Sequence, residues 1–187
     1  MIIESIFSTL DAVGQPNFAP MGVRWGDEMI TVRPFRDTST YRNLLASGYG
    51  VVNITDDVRA FVQSGLYGAG LPYFPATAIP GVVFERVCYW REVQMLFDDG
   101  SEIRAEIHCC VIASGWRRDF LGFCRAHGAI LEAAILATRL NNYSTNQVSE
   151  ALAGYEDIVN KTGGEAELNA LQEVKEYIER RLNEGHR

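Results

Sequence analysis

Arginine and hydroxyl side chains are concentrated in one short stretch of this chain. Residues 33–45 read R-P-F-R-D-T-S-T-Y-R-N-L-L, and five of them surround the predicted first turn of a helix: Arg33, Arg36, Thr38, Ser39 and Thr40. The first N–H groups of a helix have no intrahelical acceptor, and the helix dipole favours negative charge beside them. Arginine adds a cation that fits phosphate, and hydroxyl groups add further donors. The stretch therefore predicts either a phosphate site or an ordinary capped helix whose arginines are solvated or paired with nearby aspartates.

Composition limits what else the chain could bind. Of its 187 residues, 47% are hydrophobic and 22% are charged, which is typical of a folded globular protein. The net charge of −7 argues against nucleic acid as a partner, because nucleic-acid binding relies on clustered cations, but it is compatible with a small anion. We find no apolar run that could span a membrane and no signal-peptide pattern, so we expect a cytoplasmic protein without a membrane partner. The four cysteines lie in or beside apolar stretches, where we expect reduced thiols.

Up to about residue 122 the sequence pattern is mainly that of β-strands. Apolar runs separated by turn residues predict strands at 2–10, 18–25, 29–35, 49–56, 82–97 and 101–113. Asp98-Asp99-Gly100 predicts a hairpin between the last two strands, and the Gly- and Pro-rich stretch 68–81 predicts a long loop. Six or so antiparallel strands with few helices favour a closed barrel, because closure removes exposed strand edges.

The remainder of the chain has a helical pattern. Residues 125–140 are apolar nearly all round, so this helix should be buried, with a second subunit as one candidate for its cover. Ser144 and Gln147 have the spacing of a capping box for the next helix. A last helix carries its apolar stripe on Leu168, Leu171, Val174, Ile178 and Leu182. We therefore divide the chain into a barrel domain, residues 1–122, and a helical subdomain, residues 123–187.

Two further groups of side chains could carry chemistry. Cys124, His127, His108, Cys109 and Cys110 supply atoms that bind zinc, but adjacent strand residues face opposite sides, so we predict no metal. The catalytic residue remains unassigned, because the two histidines are candidates for acid–base chemistry by type alone. The aromatic residues near the predicted loop allow either a lid over a flat ligand or an ordinary barrel connection: Tyr67, Tyr73 and Phe74.

Four motifs taken together resemble a known superfamily. The chain is similar to a poorly characterised family of FMN-binding split-barrel proteins in A-P-M-G-V, T-V-R-P-F-R-D-T-S-T-Y-R-N-L, Y-G-V-V-N-I-T-D-D and R-A-H-G-A-I-L-E-A-A-I-L-A-T-R-L. The same superfamily holds flavin reductases and pyridoxamine-phosphate oxidases. The resemblance covers most of the chain and implies a six-stranded antiparallel split β-barrel with a C-terminal helical subdomain. It also implies a homodimer with one FMN per subunit near the subunit boundary.

The resemblance further implies roles for individual residues. The 5′-phosphate of FMN would be held by Arg36, Thr38, Ser39 and Thr40. The ribityl chain and the flavin ring would lie beside Arg33, Pro34 and Phe35, with Asn53 and Thr55 close to the ring. The implied function is that of an FMN-dependent oxidoreductase or flavin-reductase-like enzyme that uses a small-molecule reductant or acceptor. The alternative is a flavin-binding carrier, redox partner or sensor without turnover.

Overall fold

The computed structural model describes residues 1–100 and 103–184. Within the described residues the strands are β1 (Ile2–Leu10), β2 (Pro16–Arg24), β3 (Met29–Val32), β4 (Tyr49–Ile54), β5 (Tyr73–Pro75), β6 (Val82–Phe84), β7 (Tyr89–Asp98) and β8 (Ile107–Trp116). Six of them are antiparallel and close into a barrel in the order β1-β2-β3-β8-β7-β4, and β5 pairs with β6 in a separate small sheet. The predicted six-stranded closed barrel is confirmed.

Alternation along the strands fills the barrel interior. Successive side chains of a strand point to opposite faces, so every second residue faces inward. The buried interior residues include Phe7, Val23, Ile30, Val32, Val52, Val93, Ile107 and Cys109. Gly115 allows close packing in the wall between β7 and β8, because a Cβ at that position would lie 2.0 Å from the ring of Trp90.

The predicted strand 82–97 is wrong as a single element. β6 ends at Phe84, and the chain turns before β7 begins at Tyr89. The turn is held at Thr55, whose hydroxyl donates to the carbonyl of Arg86 at 2.9 Å. β6 pairs with β5, so the segment 68–81 that we predicted as a loop contains a short strand.

The predicted hairpin between the two long strands is present, but its connection is longer than the Asp-Gly signal indicates. β7 and β8 pair antiparallel, and Asp98 lies opposite Ile107, so the connection runs from residue 99 to residue 106. The carboxylate of Asp98 accepts the N–H groups of Gly100 at 3.0 Å and Glu106 at 3.1 Å, which closes this loop on itself. The part of the predicted strand at residues 101 and 102 lies outside the described residues.

Five α-helices occur in the described chain: α1 (Ser39–Ser47), α2 (Val58–Tyr67), α3 (Arg125–Ala137), α4 (Thr145–Thr162) and α5 (Glu165–Glu184). Gly48 ends α1 with a left-handed φ of 76°, which a glycine adopts without strain. The predicted capping box is confirmed, since Ser144 and Gln147 bond each other's backbone N–H groups at the start of α4. Among the described helices we find none that is both long enough and apolar enough to cross a membrane.

Contacts divide the chain into two compact units. The barrel unit comprises Met1–Thr55 and Ala69–Phe120, and the helical unit comprises Asp56–Gly68 together with the chain from Leu121 onwards. The predicted boundary at residues 122 and 123 lies close to the transition between Phe120 and Leu121. The sequence did not indicate that α2 groups with the helical unit, because a short amphipathic helix does not show which partner covers its apolar face.

The helical unit buries α3 within its own chain. One face of α3 consists of four buried alanines: Ala126, Ala129, Ala133 and Ala137. This alanine face packs in one cluster with residues of α2, α4 and α5. The prediction that α3 is buried is therefore confirmed, and its cover comes from neighbouring helices of the same chain. The predicted stripe of α5 is wrong at Leu168, which is 45% exposed, whereas Leu171, Val174 and Ile178 are buried.

Candidate anion-binding site at the start of helix α1

Thr38 caps α1 in the manner that the sequence predicts. Its backbone is extended, and its hydroxyl accepts the N–H of Tyr41 at 3.3 Å while donating to the carbonyl of Phe35 at 2.7 Å. The N–H groups of Ser39 and Thr40 lie in the first turn, before intrahelical acceptors become available. Helix geometry therefore leaves two backbone donors for an anion at this end of α1.

The hydroxyl groups of Ser39 and Thr40 differ in access. Ser39 is exposed, whereas Thr40 is only 2% exposed and its hydroxyl accepts the side-chain amide of Asn17 at 3.0 Å. The prediction that the Thr40 side chain offers its hydroxyl to a ligand does not fit this burial. Its backbone N–H is the donor that the helix start provides.

Arg36 is held in place by an acid and an aromatic ring. Its guanidinium forms an ion pair with Asp98 at 2.7 Å, bonds to the hydroxyl of Tyr41 and lies 5.0 Å from the centre of that ring. Burial by itself would raise the pKa of Asp98, but bonds from two backbone N–H groups and from Arg36 outweigh it and hold that pKa below its ordinary value. The Arg36 cation is thus positioned at the end of β7 before any ligand binds.

The segment 33–35 is bound to residues just before β8. The Arg33 side chain pairs with Glu106 at 3.1 Å, and its carbonyl accepts Arg104 at 2.8 Å. The Arg104 guanidinium lies 4.8 Å from the ring centre of Phe35, which is about half exposed. Pro34 is buried, and its carbonyl accepts a backbone N–H at 3.0 Å. The side chains of Arg33 and Phe35 are therefore exposed to a ligand. Pro34 instead contributes a backbone hydrogen bond to the barrel unit.

Arg42 belongs to this site and was not predicted. Its guanidinium donates to the carbonyl of Asp37 at 2.7 Å and to the hydroxyl of Ser39 at 3.1 Å, so it lies beside the first turn of α1. Both of these oxygens are neutral, which leaves the charge of Arg42 available to an anion. The available signal was its position one helical turn after Thr38, since residues four apart share a helix face.

Asn53 and Thr55 have structural roles that the sequence did not reveal. Asn53 is fully buried; its amide nitrogen donates to the carbonyl of Ile6 at 2.9 Å and to the hydroxyl of Ser8 at 3.0 Å, and its amide oxygen accepts the N–H of Phe84 at 2.8 Å. Thr55 is 7% exposed and holds the turn before β7. Both ends of the Asn53 amide are bonded to β1 and β6, and the predicted contact of this amide with a flavin ring stays a prediction.

A histidine lies on the outer face of the barrel near Arg33. The ring of His108 stacks on Phe97 with centres 4.6 Å apart, and its nitrogens lie 3.2 Å from Asp99 and 3.4 Å from the hydroxyl of Thr31. One ligand-type atom from each of three side chains falls within 4.8 Å of the others: Asp99, Glu106 and His108. We assign no metal here, because the Glu106 carboxylate is already shared between the guanidinium groups of Arg24 at 3.0 Å and Arg33.

The cysteines follow the strand alternation that we predicted. All four are free thiols. Cys109 points into the barrel and is fully buried, whereas Cys110 is half-buried on the other face. Burial raises the pKa of the Cys109 thiol to about 12, so it remains protonated and unreactive.

The segment 68–81 is anchored to the barrel by a buried carboxylate. Glu92 accepts the N–H groups of Thr77 at 2.9 Å and Ala78 at 2.6 Å, and also the indole N–H of Trp90 at 3.2 Å. The ring of Phe74 packs edge-on against Trp90 with centres 5.6 Å apart. These contacts favour an ordinary barrel connection over a lid.

The chain belongs to the DUF447 family, since the model described as "Protein of unknown function (DUF447) N-terminal domain" matches residues 3–118 and the companion DUF447 model matches residues 124–176. It is similar to the uncharacterized protein MJ1453 of Methanocaldococcus jannaschii, with 25% identity over 202 residues that cover 97% of this chain and 99% of the relative.

Two solved structures illustrate the similarity in fold. The FMN-bound protein MM1853 from Methanosarcina mazei, also assigned to DUF447, has a TM-score of 0.80 with 24% identity and 94% coverage of both chains. The 2-nitrobenzoate 2-nitroreductase NbaA of Pseudomonas fluorescens has a TM-score of 0.53 with 20% identity, covering 61% of this chain and 64% of its own. The first resemblance extends over both units, and the second covers a smaller share of the chain.

Proposed function

We propose that this chain binds FMN with the phosphate at the start of α1 and acts as a flavin-dependent oxidoreductase. The observation that carries the proposal is the meeting of helix N–H groups and three arginines in one short segment: Arg33, Arg36 and Arg42. The family member MM1853, which has a similar fold, is FMN-bound. A phosphate monoester is the anion that best matches these donors, because guanidinium groups bind its oxygens in pairs.

The residues that would bind the phosphate differ in the bonds that they make without a ligand. Arg42 and Ser39 would offer side-chain donors, and the first turn of α1 would add the N–H groups of Ser39 and Thr40. Arg36 is paired with Asp98, so a phosphate would share this cation with the carboxylate. Thr38 would stabilise the site by capping the helix.

The flavin ring would lie beside the exposed side chains of Arg33 and Phe35. When bound, FMN supplies the electron-transfer chemistry, and the protein supplies binding, orientation and electrostatics. The guanidinium of Arg33 would favour the additional negative charge of the reduced ring. Arg104, which lies against Phe35, would help to fix the orientation of that aromatic ring.

A homodimer is part of the proposal. Large apolar side chains are exposed on β7 and β8 of the barrel unit: Leu96 at 51%, Phe97 at 50%, Ile112 at 44% and Trp116 at 67%. Exposed apolar side chains mark interaction surfaces in folded proteins where they form a contiguous patch, and we expect these four to contribute to one. A second copy of the chain would cover these residues. The cytoplasmic location stays a prediction.

The binding experiment uses two ligands that differ only in the phosphate. The protein freed of flavin is titrated with FMN and with riboflavin, and Kd is measured from the change in flavin fluorescence. The double variant Arg36→Ala with Thr38→Ala should weaken FMN binding by roughly thirtyfold, equivalent to about 2 kcal/mol, because it removes a charged bond and the helix cap. Riboflavin binding should change little. Arg91→Ala is the matched control, because it also removes a guanidinium group that lies over an aromatic ring, here 5.4 Å from the ring centre of Trp25.

Two results would contradict this assignment. Unchanged FMN affinity in the double variant, with an unchanged circular dichroism spectrum, would show that the phosphate of FMN does not bind at the start of α1. An equal loss of FMN and riboflavin affinity would show that the substitutions act on the fold or on the ring and leave the phosphate untouched.

Turnover distinguishes the enzyme from the alternative of a flavin carrier, redox partner or sensor. The FMN-loaded protein is mixed with NADH or NADPH and a panel of electron acceptors, and oxidation is followed at the nicotinamide absorbance. Steady oxidation above the rate with free FMN supports the oxidoreductase. Tight FMN binding without turnover across the panel favours the binding protein.

A further inference from the structure

His108 is the histidine of the barrel unit, and its surroundings fix the orientation of its ring. Phe97 stacks against one face at an angle of 18°, while Asp99 and Thr31 bond to the two nitrogens. His127, by contrast, lies in the helical unit and pairs with Glu167 at 3.0 Å. The structure thus separates two histidines that the sequence could not rank.

The location of His108 connects it to the proposed ring position. The strand register places it opposite Thr31, two residues before Arg33. Neighbouring strand residues alternate in direction; Ile107 and Cys109 are buried in the barrel, so His108 points outward. One of its nitrogens lies within 4.8 Å of the Glu106 carboxylate, which in turn pairs with Arg33 at 3.1 Å.

We infer that His108 is the ionisable group that stabilises the negative charge of reduced FMN, an inference that rests on the proposed function. Two-electron reduction with uptake of one proton converts FMN into a reduced form with an anionic ring. A protonated imidazole beside Arg33 would add a second cation to that region. Asp99 and Thr31 are positioning residues, because they hold the imidazole through its two nitrogens.

The charged groups around His108 keep their charge over the pH range of the test. Arg24 and Arg33 keep their charge at all relevant pH values, and both lie on the carboxylate of Glu106. Asp99, on the connection between β7 and β8, also faces the ring. Carboxylates are ionised above about pH 5, whereas an imidazole changes charge between roughly pH 5 and 8. Wild type and a His108 variant share every other titrating group, including the phosphate of FMN, so a difference between them that depends on pH would report on His108.

The test compares the affinity for oxidised and reduced FMN in one measurement. Spectroelectrochemical titration of the FMN-loaded protein gives its midpoint potential, and the shift from free FMN gives the ratio of the two Kd values. The electrode supplies the two electrons and water supplies the proton. We expect His108→Gln to weaken the binding of reduced FMN relative to oxidised FMN by about tenfold at pH 6, which corresponds to about 30 mV for a two-electron couple. At pH 8.5 variant and wild type should agree.

Two further variants keep the result interpretable. His127→Gln carries the same substitution at a carboxylate-bonded histidine of the other unit and should leave the potential unchanged at both pH values. Thr31→Val removes the bond to the other imidazole nitrogen without changing any charge, so it should shift the potential in the same direction as His108→Gln by a smaller amount. Circular dichroism and the Kd for oxidised FMN check that each variant is folded.

Each outcome separates the inference from the proposed function. Equal potentials for wild type and His108→Gln at pH 6, with FMN still bound, would overturn the role of His108 and leave flavin binding intact. A difference that persists unchanged at pH 8.5 would also overturn it, because an uncharged imidazole cannot supply the stabilisation. Absence of FMN binding by the wild-type protein would contradict the proposed function itself.

Discussion

Replacing Glu92 by glutamine should destabilise the barrel unit strongly while removing no more than one charge. Glu92 is fully buried in β7, and its carboxylate accepts four hydrogen bonds. One oxygen accepts the N–H and hydroxyl of Thr77, both at 2.9 Å, and the indole N–H of Trp90. The other accepts the N–H of Ala78 at 2.6 Å.

The expected magnitude follows from these bonds. A glutamine oxygen can keep the bonds on one side, but its NH2 group then faces the N–H of Ala78, and two donors cannot bond each other. One buried N–H would lose its acceptor, and the bonds that remain would lose the assistance of the negative charge. Together these effects should lower the free energy of unfolding by about 3 kcal/mol. Glu85→Gln, at an exposed position in the turn before β7, should change it by less than about 0.5 kcal/mol.

Tryptophan fluorescence is a suitable probe, because Trp25, Trp90 and Trp116 all lie in the barrel unit. For urea unfolding with a slope of about 2 kcal/mol per molar, Glu92→Gln should lower the midpoint by about 1.5 M at pH 7. Equal midpoints for Glu92→Gln and Glu85→Gln would refute the argument, since the anchored segment 76–81 would then contribute nothing through this carboxylate.

The same variant has a defined pH dependence. Burial alone would raise the pKa of Glu92, but the bonds from Thr77, Ala78 and Trp90 outweigh it and hold the pKa below its ordinary value. A depressed pKa gives stabilisation that is complete above the pKa of an unfolded glutamate, about 4.3, and that is lost as the pH falls through the folded value. The difference between wild type and Glu92→Gln should therefore shrink below about pH 4. A difference that stays constant down to pH 3 would contradict this assignment.

Two other substitutions test assignments made from the structure. Ala133→Glu places a charge in the core of the helical unit and should cost several kcal/mol, so helical circular dichroism should be lost at a much lower temperature; unchanged melting would show that this face is not buried. Asn53→Ala removes the partner of the Phe84 N–H and of the Ile6 carbonyl and should lower barrel stability by about 3 kcal/mol in urea unfolding, with unchanged FMN affinity of the folded protein. Lost FMN affinity at unchanged stability would restore Asn53 as a flavin ligand.

Local signals in the sequence account for what it predicted correctly. The Thr38 cap, the glycine end of α1 and the capping box of α4 depend on residues within a few positions of each other. The six barrel strands follow from the alternation of apolar residues, and closure follows from the lack of any other cover for strand edges. The start of α1 could be proposed as an anion site from the sequence, because its donors belong to one continuous segment.

Contacts between distant segments account for what the sequence missed. Asn53 and Thr55 resemble ligand residues in a strand pattern, but the amide and hydroxyl are taken up by β1, β6 and the turn before β7. The apolar face of α2 did not indicate that α2 groups with the helical unit. Such partners leave no local pattern, since hydrogen bonding and burial depend on which strands and helices become neighbours.

The sequence by itself determined the barrel, the helical tail and the position of one cationic helix start, because each is encoded by local spacing and side-chain type. Only the tertiary structure decided which side chains surround that helix start and which partners they have. It pairs Arg36 with Asp98, brings Arg42 onto the first turn of α1, and places His108 near Glu106, the partner of Arg33. These arrangements join residues from α1, the segment that precedes it and the two ends of the β7–β8 connection, and they exist only once the closed barrel has set the strand register.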